Sequence, residues 1–183
     1  LALAYNGDHG AAQVQAALRH DRYSADIGHA TTGLLGLGWR LTDEFKLIGT
    51  LSTAFNAPTF NQLYYPDYGN DQLKPERARS VELGAQYSSG RTLARLNWFR
   101  TRLRDLIDYD ANFKPVNVAK ARTQGIELTA STELDGWRLL ANLTAQQPEN
   151  AEGQTLQRRA RHFGSVEAGR DFGAWRIRAQ LTS

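Results

Sequence analysis

A chain of 183 residues with 22 Lys and Arg against 19 Asp and Glu carries a formal charge of +3, and the excess is spread out rather than gathered into a basic block for nucleic acid. It contains no Cys, which excludes disulfide frameworks, thiolate zinc sites and thiol nucleophiles together. No stretch approaches the roughly 20 apolar residues of a membrane helix, so a helical membrane protein is excluded and a β-barrel is not; the length suits one domain with a sizeable core rather than two.

Apolar and polar residues alternate through about ten segments, the period of strands with two unlike faces. In chain order, Val14, Ala16 and Leu18 stand against Gln13, Gln15 and Arg19; Leu35, Leu37, Trp39 and Leu41 against Gly36, Gly38 and Arg40. Val81, Leu83, Ala85 and Tyr87 oppose Glu82 and Gln86, and Ile126, Leu128 and Ala130 oppose Glu127, Thr129 and Ser131. Trp137, Leu139, Ala141 and Leu143 oppose Arg138, Asn142 and Thr144, and the last run sets Trp175, Ile177, Ala179 and Leu181 against Arg176, Arg178 and Gln180.

Alternation alone also fits a soluble sandwich, so the connections decide. Short turns are predicted at Asn6 to Gly10, Leu41 to Glu44, Ser88 to Arg91, Asp135-Gly136 and Asp171 to Ala174. Longer connections are predicted at Tyr23 to Thr32, Asn56 to Arg79, Asp108 to Val118 and Gln146 to Arg159. Short and long alternate, which puts every tight turn at one end of the strands, as in an up-and-down outer-membrane barrel. A Greek-key sandwich does not sustain that asymmetry. The apolar face carries Trp39, Trp98, Trp137 and Trp175, each expected near a strand end as an aromatic girdle. The other face is rich in Arg, Glu, Gln, Asn and Thr, which suits a wet lumen and equally the outside of a sandwich. Glycines within the strands (Gly36, Gly38, Gly49, Gly84, Gly125, Gly169) mark bends or close approach.

Residues 53–83 read TAFNAPTFNQLYYPDYGNDQLKPERARSVEL. Ala57-Pro58 closes a strand, Leu63-Tyr64 follows in a loop, and Gly69-Asn70 precedes Leu73 and Pro75-Glu76. This run resembles the TonB-dependent outer-membrane receptors, although Asp71-Gln72 stands where many members have Pro-Asn. Pro58 lacks an N–H and ends ladder pairing; Glu76 is read as a structural group that hydrogen-bonds within the loop or to the barrel rim. A second run, Asp105-Leu106-Ile107-Asp108-Tyr109-Asp110 with Asn117 through Gly125-Ile126-Glu127, and Leu156, Arg158, Arg159 and Ala160 beyond, is similar to the vitamin B12 (cobalamin) transporter branch.

The resemblance implies an all-β, antiparallel up-and-down transmembrane barrel of 22 strands closed by a plug. Residues 1–183 would supply about ten strands as a partial barrel domain, a segment from inside a longer mature sequence, with the plug and the C-terminal strands absent. It implies an outer-membrane receptor importing a bulky scarce nutrient, cobalamin or else a siderophore or haem, in contact with outer-membrane lipid. TonB would be reached only through the plug. No cofactor, metal residue or nucleic acid is implied.

His9, His20, His29 and His162 lie on separate segments without metal-ligand spacing and are read as turn or rim residues. Asp105, Asp108 and Asp110 lack the Gly and closing Glu of a calcium loop. Gly36-Leu37-Gly38 is too short for a nucleotide loop, and no Ser/His/Asp set suggests an enzyme. Ligand contact is expected in the long loops, at Tyr64, Tyr65, Tyr68, Asn112 and Phe113; the same residues could instead pack the loops together. A soluble β-sandwich adhesion or lectin module is the reading from another class. The segment alone, with open edges and a lipid-facing surface, is expected to be oligomeric or detergent-dependent.

Overall fold

The computed structural model describes residues 1–23, 28–156 and 159–183. Ten strands run in order: β1 Ala2–His9, β2 Ala12–Arg22, β3 His29–Arg40, β4 Phe45–Asn56, β5 Glu76–Ser89, β6 Thr92–Tyr109, β7 Pro115–Leu134, β8 Trp137–Asn150, β9 His162–Phe172 and β10 Trp175–Thr182. They form one antiparallel sheet in which each strand pairs with its sequence neighbours. A short helix, α1 Phe60–Tyr64, interrupts the connection before β5.

The turns follow from their residues. Asp135 and Gly136 both take positive φ (49° and 79°), the geometry of a type I′ hairpin turn. Gly10, Gly90 and Gly173 take positive φ (64°, 56° and 58°) as the first of two turn residues, where Gly avoids the steric cost of the left-handed region.

The register reveals how the sheet is inclined. One row of partners runs Ala12, Trp39, Leu47, Ala85, Leu96, Leu128, Leu143 and Gly164. The first tight turn closes on that row at His9↔Ala12, and the second two residues below it, where the Leu41 N–H donates to the Phe45 carbonyl. The next three close four, six and eight residues below, at Ser89↔Thr92, Leu134↔Trp137 and Phe172↔Trp175. The drift is one residue per strand; with a rise of about 3.3 Å and a strand spacing of about 4.8 Å, level turns require a strand tilt of about 35°. Membrane barrels have this inclination.

With that tilt, Trp39, Phe45, Tyr87, Trp137, Phe172 and Trp175 share one level within about 6 Å. They form an aromatic belt at the tight-turn end. Trp98 is a correction: it sits inside β6, about 15 Å above that belt, at the upper border of the apolar band. The band between the two borders is about 15 Å tall, somewhat less than the roughly 25 Å apolar zone of outer-membrane barrels.

The sandwich reading fails on burial. The accessible surface is 13180 Å², about half as much again as the roughly 8,800 Å² of a compact monomer of this size. Among the described residues only Ala30, Leu63, Leu73 and Ala121 are buried hydrophobics, while Leu37, Leu83, Leu96, Ile126 and Ile177 on the apolar face are exposed. No second layer covers them, so the ordinary core expected from the length is also overturned; the oily face requires hydrocarbon.

Several boundaries shift. β1 continues to His9, past the turn expected from Asn6. The connection predicted over Asp108 to Val118 is mostly strand, because β6 reaches Tyr109 and β7 starts at Pro115. β5 begins at Glu76 and β8 extends to Asn150, so the connections around them are shorter than expected. Parts of the Tyr23 to Thr32 and Gln146 to Arg159 connections, and Arg158 of the second motif, lie outside the described residues.

Candidate ligand surface at the long-loop end

The connection between β4 and β5 folds over the β6–β7 hairpin. Pro58 is buried and stops β4 after Asn56. Thr59 then caps α1: its hydroxyl accepts from the Gln62 N–H (3.3 Å) while Gln62 Oε1 accepts from the Thr59 N–H (2.9 Å), a capping box that starts a helix too short to stand alone. Leu63 of α1 and Leu73 beyond it are buried. Gly69 is required by close approach, since a Cβ there would lie 2.6 Å from the Leu63 carbonyl oxygen.

Three polar side chains tie this loop down. Asn70 Nδ2 donates to the carbonyl of the buried Pro115 (2.9 Å). Asn117 Oδ1 accepts from the Lys74 N–H (2.7 Å), and Asn117 Nδ2 donates to the carbonyls of Lys74 (2.9 Å) and Asp105 (2.6 Å). Glu76, which follows Pro75 and opens β5, accepts from the Ile107 N–H (2.7 Å) and from Asn56 Nδ2 (2.8 Å). Glu76 thus links the start of β5 to β6 and to the end of β4. Within the second motif, Gly125 lies where a Cβ would meet the Ala145 carbonyl at 2.4 Å, and Glu127 sits on the polar face opposite Asn97 and Thr144.

The loop carries an aromatic surface. Tyr65 meets Tyr68 edge-on at 6.1 Å between centroids, and Tyr68 packs on Tyr109 of the hairpin at 6.1 Å. The neighbouring Tyr109 phenol, followed by partial burial, holds the Tyr68 hydroxyl above the usual tyrosine range. Tyr64 packs instead against Phe60, with the rings tilted by 45° at 6.0 Å. Tyr64, Tyr65 and Phe113 remain well exposed, Phe113 at 76%. Asn112 and Phe113 form the hairpin tip, where Asp110 Oδ1 accepts from the N–H groups of Asn112 (2.8 Å) and Lys114 (2.9 Å). The acidic run thus includes a turn-forming Asp110, and no group of three metal-ligating side chains occurs among the described residues.

The structure joins Tyr65 and Tyr68 and leaves Tyr64 and the tip as separate exposed groups. Tyr109 and Asn117 are the residues that sequence reasoning did not assign to the site. Both stood in quoted motifs, but the hairpin that lifts them was read as loop. Of the histidines, His9 pairs with the Tyr5 hydroxyl (2.8 Å) and His20 Nδ1 with the Thr31 hydroxyl (2.9 Å). His20 and His29 lie 5.6 Å apart.

Comparison with known proteins agrees with this architecture. The family model described as "TonB dependent receptor-like, beta-barrel" matches residues 5–183. The vitamin B12 transporter BtuB of Vibrio vulnificus is 36% identical over 124 residues, 65% of this chain and 20% of that protein. BtuB of Vibrio cholerae is 30% identical over 152 residues, 82% of this chain and 25% of that protein. The chain therefore spans a fifth to a quarter of the length of these relatives. Among solved structures, the ferric enterobactin receptor PfeA of Pseudomonas aeruginosa matches with a TM-score of 0.80 at 25% identity, over 95% of this chain and 30% of that one. The siderophore receptor PirA of Acinetobacter baumannii matches with a TM-score of 0.81 at 22% identity, over 95% of this chain and 31% of that one. Tilt, exposed apolar band and family match converge: the chain belongs to the TonB-dependent receptor β-barrels of the bacterial outer membrane.

Proposed function

We propose that this chain is ten strands of a larger plugged barrel that imports cobalamin, with TonB engaged through the plug. The edges of β1 and β10 are unpaired in the ten-stranded sheet, and further strands of the same barrel would cover them. The family is one of receptors and transporters, so the chemistry asked of the site is affinity rather than catalysis.

The observation that carries the nutrient reading is the aromatic surface of Tyr65, Tyr68 and Tyr109 at the long-loop end, with Tyr64 and the hairpin-tip residues Asn112 and Phe113 as separate groups of the same end. Flat apolar rings with hydroxyl and amide edges suit a large, rigid, uncharged ligand. The neighbouring charges are Asp67, Asp71, Asp108 and Asp110 against Lys74 and Lys114, a balance that disfavours an anionic ferric siderophore. The BtuB relatives point the same way. The test is uptake of radiolabelled cyanocobalamin by a receptor-deletion strain carrying the parent gene. Uptake should be restored and should fall at least fivefold with Tyr65→Ala/Tyr68→Ala; uptake no better than the deletion strain's refutes the assignment, and import of a ferric siderophore instead would replace it.

A further inference from the structure

The aromatic surface is assembled from two separate stretches of chain. Tyr65 and Tyr68 stand on the β4–β5 connection, whereas Tyr109 ends β6. Tyr68 meets Tyr109 with ring centroids 6.1 Å apart and planes inclined by 35°. One ring contact of this kind is weak against the conformational freedom of a long connection. The spacing of the two stretches therefore rests on the polar ties between their backbones.

Those ties converge on Asn117, a half-buried residue of β7. Its amide answers both backbone polar groups of Lys74, accepting from the N–H (2.7 Å) and donating to the carbonyl (2.9 Å), as a neighbouring strand would. The second donor of the same amide goes to the Asp105 carbonyl (2.6 Å). Asp105 takes a φ of 56° inside β6, a left-handed conformation that is costly without glycine and persists where the surroundings hold it. One amide thus joins the bend in the hairpin to the last residues of the loop. Asn70 adds a single bond to the Pro115 carbonyl (2.9 Å).

We infer that Asn117 is a positioning residue for nutrient capture: it sets Tyr68 against Tyr109 before the ligand arrives, so that binding does not have to order the loop. The inference rests on the reading of the tyrosine surface as the place of nutrient contact. Preorganisation of this kind lowers the ligand concentration needed for half-maximal uptake and leaves the later transport step unchanged.

The receptor that contains this chain is compared with Asn117→Ala and with the isosteric Asn117→Asp, which keeps an acceptor for the Lys74 N–H but turns a carboxylate oxygen toward two carbonyls. In uptake of radiolabelled cyanocobalamin by a receptor-deletion strain, both variants should raise the half-saturating concentration about fivefold or more and keep the maximal rate within about twofold. A merely structural role would lower the number of folded receptors, and hence the maximal rate, at an unchanged half-saturating concentration. A second readout needs no ligand. Tyr68 is held above the usual tyrosine range beside Tyr109, and alkaline difference absorbance should show this late component return to the ordinary range in both variants. An unchanged half-saturating concentration in the folded variants, or a late component that survives, overturns the proposal. If heat-dependent gel mobility shows that neither Asn117 variant folds, Asn70→Ala, which removes one tie only, must shift both readouts in the same direction or the proposal falls. A native receptor that takes up no cyanocobalamin refutes the nutrient reading alone, and the tyrosine signal then decides the positioning role.

Discussion

Asn117 and Lys74 hold each other by two reciprocal hydrogen bonds, side-chain amide to backbone peptide, across 43 residues of sequence. The same amide also donates to the Asp105 carbonyl, at a residue whose φ of 56° bends β6. One side chain thus fixes both the loop and the hairpin that carries Tyr109. Asn117→Ala should remove these bonds and cost about 1–3 kcal/mol locally. Amide hydrogen exchange should speed up over residues 70–76 and 105–109, while the strand interiors near the tight turns stay protected.

Glu76 invites a graded test. Its two oxygens serve two donors, the Ile107 N–H and Asn56 Nδ2. Glu76→Gln keeps an acceptor for Ile107, and Asn56 can turn its amide to accept from the new Nε2, so the loss should stay below about 1 kcal/mol. Glu76→Ala leaves both donors unanswered and should cost about 1–3 kcal/mol. Limited proteolysis of the β4–β5 connection should distinguish them; equal cleavage rates would remove the structural role assigned to the carboxylate.

The phenol pair yields a pH prediction. Tyr68 is held above the usual tyrosine range, first by the neighbouring Tyr109 phenol. Because the folded value is raised, the stabilisation is fully present below the ordinary tyrosine pKa of about 10 and is lost as pH climbs through the raised value. Alkaline difference absorbance at 295 nm should show one tyrosine ionising later than the ordinary exposed ones, and Tyr68→Phe should delete that late component.

The sequence discloses the sheet wherever one face meets lipid and the other water. Val81, Leu83, Ala85 and Tyr87 alternate cleanly, and the Gly-led and Asp-Gly turns follow from local φ demands. The signal fades above the hydrocarbon, where both faces are wetted although the ladder continues. That is why Arg100, Arg102 and Arg104 did not read as an outward row, and why residues 108–118 read as loop. Trp98 was legible as apolar but not as the upper border, since its height depends on register across strands. The Asn117 clamp could not be recognised, because its partner lies a whole hairpin away.

Glycine at 125 tests the packing of strand against strand. A Cβ there would lie 2.4 Å from the Ala145 carbonyl oxygen and 2.9 Å from Gln146 Cα, both backbone atoms that cannot move aside cheaply. At Gly49 the nearest atom is the Leu83 Cδ2 methyl at 3.6 Å. Gly125→Ala should therefore destabilise by about 1–3 kcal/mol, and Gly49→Ala by well under that. The transition in heat-modified gel mobility should drop for the first and hardly move for the second.

The orientation of the sheet is open to a paired substitution at mid-height. Leu96 is 52% exposed on the apolar wall, and Thr129 projects from the opposite face next to Leu128. An arginine on the lipid side near the bilayer midplane costs about 2–4 kcal/mol, whereas the lumen side hydrates it. Leu96→Arg should thus lower the urea midpoint of the folded receptor in lipid bilayers substantially, and Thr129→Arg should leave it near the native value. The reverse order would mean that the oily stripe faces inward, against the exposed apolar band and the level aromatic belt alike.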